Sequence, residues 1–224
     1  LKNPNDQRIE NWTFKKNVKY IFAILCFELV FNALIFFPLF YFLNKFEPIL
    51  YETRIDYNNN TFLQTLLITA FIAPIGEELI FRYLLRYNKL FSKIIDRNKW
   101  NFLFKILVYI SIILFGFLHS SNFENSSIFF YCILPILVST QLIGGIFLTF
   151  LRVRFNILSS IILHVLWNGI FTIIPIIISI FEKPYELINN DTNLKIEYLN
   201  YNSNNQQKFQ IDSTSNRIFK IDIE

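Results

Sequence analysis

The chain has 224 residues, 53% of them hydrophobic and 18% aromatic, with a net charge of +4. Its mean hydropathy of +0.38 is too high for a soluble globular domain, so the composition excludes that class and predicts a membrane protein. The basic excess predicts no nucleic-acid partner, because Lys and Arg gather in alternate loops rather than in one patch.

Residues 1–16 are polar and read as a short cytoplasmic tail or interfacial helix ahead of a transmembrane domain over residues 17–182. The first apolar run, Val18–Leu43, is too long and too aromatic for a cleaved signal peptide and is expected to stay as an anchor. It carries Glu28, Asn32 and Pro38, which predicts a kinked helix whose polar groups face its neighbours. Asn44–Thr61 reads as an external loop. The second run starts at Phe62 and leads into Ala73–Arg86, where Pro74 and Gly76 precede the adjacent carboxylates Glu77 and Glu78. A kink or restart at Pro74 would place both glutamates in a first helical turn, where the macrodipole favours negative charge. Arg82 follows Glu78 at i+4, so the two share a face and can pair, leaving Glu77 without that partner.

Three further runs follow at Ile106–Leu118, Ile128–Leu151 and Phe155–Phe181. A spanning helix needs about 20 residues, so the chain is expected to be an all-α polytopic bundle of about five spanning helices. Basic residues precede the first span, separate the second from the third (Arg86 to Lys99) and separate the fourth from the fifth (Arg152, Arg154). That alternation places the N-terminus in the cytoplasm and the C-terminal tail outside. Gly144 and Gly145 suit close helix contact. Cys26 and Cys132 lie inside apolar runs, which predicts packing roles and no disulfide. Residues 183–224 are polar, with short alternating runs at Leu194–Tyr201, Phe209–Asp212 and Ile218–Ile223 that fit either a small β hairpin or a disordered tail.

The chain's two histidines, His119 and His164, both lie in apolar segments, and Asn168 follows His164 by one helical turn. Glu77 lies nine residues from Arg86 and His164 ten from Arg154, so at 1.5 Å per residue each is roughly 15 Å deep. His119 lies fourteen residues after Lys105, or roughly 20 Å. Groups from three helices are thus expected to meet near the middle of a bilayer core about 30 Å thick. A glutamate removed from water can act as general base while histidine shares or shuttles the proton. A second imidazole and a carboxamide can donate to the oxyanion of amide hydrolysis. Glu77, His119 and His164 are also the candidate ligands if a metal is bound, zinc being the ion their donor types suit.

Glu77-Glu78-x-x-x-Arg82, Phe115-x-x-x-His119 and His164-x-x-x-Asn168, in this order on separate apolar segments, resemble the CAAX protease and bacteriocin-processing (CPBP, Abi-like) family of intramembrane endopeptidases over roughly residues 61–181. The resemblance implies that Glu77 and His119 activate water, that His164 and Asn168 stabilise the oxyanion, and that Glu78 and Arg82 support them. It implies a membrane-associated protein or peptide as substrate, in a glutamate-type or metallo-endopeptidase mechanism, and the composition is compatible with a bacterial plasma membrane. A non-catalytic immunity or scaffold member of the same fold, or a small transporter using buried carboxylates as an ion relay, are the competing readings. The chain carries no HExxH, no GxSxG and no aspartate pair on its apolar spans.

Overall fold

The computed structural model describes residues 4–9, 12–50, 62–181, 185–188, 193–196 and 210–212. Among these, five helical stretches are long and apolar enough to cross a membrane: Phe14–Leu43, Leu63–Phe81, Arg97–Asn122, Ile128–Arg154 and Ile157–Ile174. The chain is an integral membrane protein built as an all-α bundle.

The first span is α1 (Phe14–Phe31), a π turn (Asn32–Phe36) and α2 (Phe37–Leu43). Thr13 caps it by accepting the Lys16 N–H, and among the described residues before Phe14 none is helical. Residues 4–9 instead form a non-helical strap pinned at the basic end of the bundle. The Asp6 carboxylate accepts the Trp100 indole N–H at 3.0 Å and the Tyr87 backbone N–H at 3.2 Å, and it pairs with Arg97. The Ile9 N–H donates to the Arg154 carbonyl at 3.1 Å.

The second span is α3 (Phe62–Leu66), a π turn (Leu67–Ile72) and α4 (Ala73–Phe81). Both prolines of these two spans stand two residues after the end of a π turn. Proline has no N–H and its ring clashes with the carbonyl four residues back, and a widened turn relieves that clash without breaking the helix. The expected restart at Pro74 therefore does not occur. Glu77 and Glu78 are the fifth and sixth of the nine residues of α4, not in a first turn where the macrodipole would help them.

The third span, α5 (Arg97–Leu118), is capped by Asp96, whose carboxylate accepts the Asn98 and Lys99 N–H groups. Those bonds, the one from Lys99 foremost, hold the Asp96 carboxyl below the usual range. The fourth span divides at Val138 into α6 (Ile128–Leu137) and α7 (Ser139–Arg154), and α8 (Ile157–Phe181) closes the bundle. A Cβ on Gly116 would lie 2.6 Å from Leu142 Cγ, and one on Gly145 would lie 3.2 Å from Phe115 Cδ1. Glycine at these two positions lets α5 and α7 approach closely. The core lies along the same seam and against α8, with Phe104, Val108, Leu151 and, on α8, Leu163 each 1% exposed or less. Cys26 and Cys132 are free and lie on exposed faces, so neither is the packing residue expected of it.

Beyond α8, β1 (Tyr185–Ile188), β2 (Asn193–Ile196) and β3 (Gln210–Asp212) form an antiparallel sheet in the order β1-β2-β3, with Leu187 opposite Leu194 and Leu194 opposite Ile211. The expected run Ile218–Ile223, most of Asn44–Thr61 and the rest of residues 183–224 lie outside the described residues.

Candidate active site

Glu77, His119, His164 and Asn168 line one cavity of about 690 Å³ between the spans. Each reaches it for a local reason. On α4, Glu78 and Arg82 take the buried face and are both 0% exposed, whereas the Glu77 side chain is 30% exposed and turns into the cavity. Arg82 Nη1 lies 3.2 Å from Glu78 Oε1. None of the Arg82 nitrogens meets hydrogen-bond geometry, so this contact is an ion pair by charge and distance rather than a directed fork. The guanidinium also stacks on Phe115, its Cζ 3.8 Å from the ring centroid.

Glu78 does more than hold Arg82. The same oxygen, Oε1, lies 3.1 Å from His164 Nδ1. A carboxylate at Nδ1 fixes the imidazole orientation and assigns Nδ1 as the donor, which turns Nε2 toward Glu77 Oε2 at 3.6 Å. That Glu77 oxygen is buried and has no hydrogen-bond partner among the described residues. The gap is too long for a direct bond and suits a bridging water or a substrate atom.

His119 sits where α5 ends, in the 3₁₀ turn His119–Asn122. Its Nδ1 lies 2.7 Å from the Phe115 carbonyl, so Nδ1 donates and Nε2 is left as the acceptor. The Phe115 ring meets both imidazoles edge-on, with centroids 4.9 Å from His119 and 5.7 Å from His164. Asn168 donates from Nδ2 to the Thr69 carbonyl at 3.1 Å. Pro74 explains why that carbonyl is available. In the π turn the Ala73 N–H bonds to Ile68, and the next residue has no N–H to offer Thr69.

The helix ends that carry these groups are tied by arginines. Arg152 donates to the Arg82 and Tyr83 carbonyls at 2.9 and 2.8 Å, just past the C-terminus of α4, and the Arg82 carbonyl also accepts the Leu85 N–H. Arg86 returns the favour to the Val153 carbonyl at 2.6 Å. Burial foremost, with Arg8 and Arg152 nearby, pushes the Arg86 guanidinium down to about 10, so it remains charged at neutral pH. Arg152 was legible in the sequence only as a topology signal. Glu28, on the first span, also lines the cavity and was legible only as a kinked-helix polar group. Among the described residues no three His, Cys, Asp or Glu side chains are gathered to hold a metal ion. Glu77, His119 and His164 line the same cavity.

A family model, the type II CAAX prenyl endopeptidase Rce1-like family, matches residues 59–170, half of the chain. No curated protein and no solved structure matches the chain.

Proposed function

The chain belongs to the type II CAAX prenyl endopeptidase Rce1-like family, CAAX-protease-like intramembrane endopeptidases, and from that membership we propose that it hydrolyses a peptide bond of a membrane-associated protein or peptide with water activated by Glu77 and His119. The observation that carries this reading is the single cavity lined at once by Glu77, His119, His164 and Asn168.

The unpartnered Glu77 oxygen takes a proton from water, and the water oxygen bonds to the carbonyl carbon. His119, with Nδ1 engaged by the Phe115 carbonyl, presents Nε2 as the acceptor that orients this water. The carbonyl electron pair moves onto oxygen, where Asn168 donates to it together with His164, which in its imidazolium form keeps Nδ1–H on Glu78 and donates from Nε2. Collapse breaks the C–N bond, and the leaving nitrogen takes the proton that Glu77 accepted. Glu78 acts through His164 and Arg82 and contacts no reacting atom in this scheme. The aromatic pair Trp167 and Phe171, with centroids 4.6 Å apart, forms an apolar wall suited to a membrane-embedded peptide.

The test is cleavage of a synthetic peptide library by the full chain in proteoliposomes, read by mass spectrometry. Glu77→Gln and His119→Ala should each lower turnover by about 10²–10⁴-fold, the range of a lost general acid or base. Turnover surviving in both variants would overturn the assignment.

A further inference from the structure

The cavity holds a second carboxylate that the scheme above does not use. Glu28 comes from α1, outside the matched residues 59–170, and is 5% exposed. It lies nine residues beyond Lys19, as Glu77 lies nine residues before Arg86, so both sit about 14 Å from a basic end of the bundle. Its backbone carbonyl accepts the Asn32 side-chain N–H at 2.8 Å. Its carboxylate meets no hydrogen-bond donor and no cation among the described residues. Its Oε1 lies beside Gly144 on α7, 3.5 Å from where a Cβ at that position would stand.

The carboxyl groups around the cavity outnumber the cations free to meet them. Glu28 and Glu77 both line it, while the nearby buried cations are committed elsewhere, Arg82 to Glu78 and Arg152 to two carbonyls. A carboxylate taken out of water without a counter-charge is costly, and a ligand that brings a cation removes that cost. A side chain of the peptide is the group that can bring one to the same cavity as the cleaved bond. We propose that Glu28 is a specificity-determining residue that receives a Lys or Arg side chain of the substrate at a fixed distance from the scissile bond. This rests on the proteolytic reading, and it adds to it the class of substrate the site selects.

The test uses pairs of peptides identical except for Lys against norleucine, with the substitution walked along the sequence, and the full chain in proteoliposomes. At one position the wild type should favour Lys by about 30-fold or more in kcat/KM, as expected for truncating one member of a buried charge pair, and Glu28→Gln should bring the ratio close to one. A wild type indifferent to Lys at every position, a Glu28→Gln variant that keeps the preference, or an equal loss on both peptides would each overturn the proposal. Equilibrium binding of the same peptides to Glu77→Gln and to Glu77→Gln/Glu28→Gln separates the two ideas. If no peptide is cleaved but Lys-dependent binding is lost with Glu28, the proteolytic reading fails and the Glu28 site stands.

Discussion

Removing the cation from the Glu78–Arg82 pair is the most informative perturbation of the scaffold. Both side chains are 0% exposed, and Glu78 Oε1 is shared between Arg82 Nη1 at 3.2 Å and His164 Nδ1 at 3.1 Å. Arg82→Met leaves a buried carboxylate facing only an imidazole and strips the stacked guanidinium from Phe115. Breaking such a pair from one side costs about 3–5 kcal/mol, because the remaining charge is left uncompensated. For a chain of this length each kcal/mol moves the melting midpoint by about 2–4 °C, so Arg82→Met should melt roughly 6–20 °C lower. Replacing both partners with apolar side chains of similar volume is often near neutral. Glu78→Leu/Arg82→Met should therefore recover most of the loss and melt well above Arg82→Met. It should still be catalytically impaired, because His164 has lost the group that orients it. The assay is thermal unfolding in detergent followed by tryptophan fluorescence, to which Trp100, 1% exposed, contributes a buried reporter. A single variant within about 1 kcal/mol of wild type, or a double variant as unstable as the sum of the singles, would refute the reasoning.

Other variants probe separate links. Gly116→Ala forces a Cβ to within 2.6 Å of Leu142 Cγ and should cost about 1–3 kcal/mol. Gly76→Ala meets nothing within 4 Å and should stabilise α4 by up to about 1 kcal/mol, so the two melting shifts should have opposite signs. Asp6→Ala removes the acceptor for the Trp100 and Tyr87 N–H groups and should cost about 2 kcal/mol in thermal unfolding. Glu77→Gln should melt within about 0.5 kcal/mol of wild type, since its carboxylate has no hydrogen-bond partner among the described residues to lose.

The spans were legible because hydropathy and length depend only on local composition, and the five helices follow the apolar runs. The Glu78–Arg82 contact was legible because i and i+4 meet on any helix. The π turns at Asn32–Phe36 and Leu67–Ile72 were not, since a proline alone does not tell a kink from a widened turn. For the same reason the glutamates were expected at a helix start and are found in the middle of α4. Contacts that cross between spans have no sequence period at all. Periodicity gave no hint that Glu78 reaches His164, that Arg152 caps the end of α4, or that Glu28 enters the cavity from a span beyond the matched region. Asn168 shows the limit most plainly. Its spacing from His164 was visible, but its anchor is a carbonyl left open by Pro74 on another span.

Activation of water by Glu77 for peptide-bond hydrolysis in this cavity is the step on which the proposed function rests. The most direct measurement is cleavage of the peptide library in ¹⁸O-labelled water by wild type and by Glu77→Gln, both shown to be folded by thermal unfolding. Wild type should place one ¹⁸O in each new C-terminal carboxyl, and the variant should give no product above background. Labelled product formed by Glu77→Gln at the wild-type rate would contradict it.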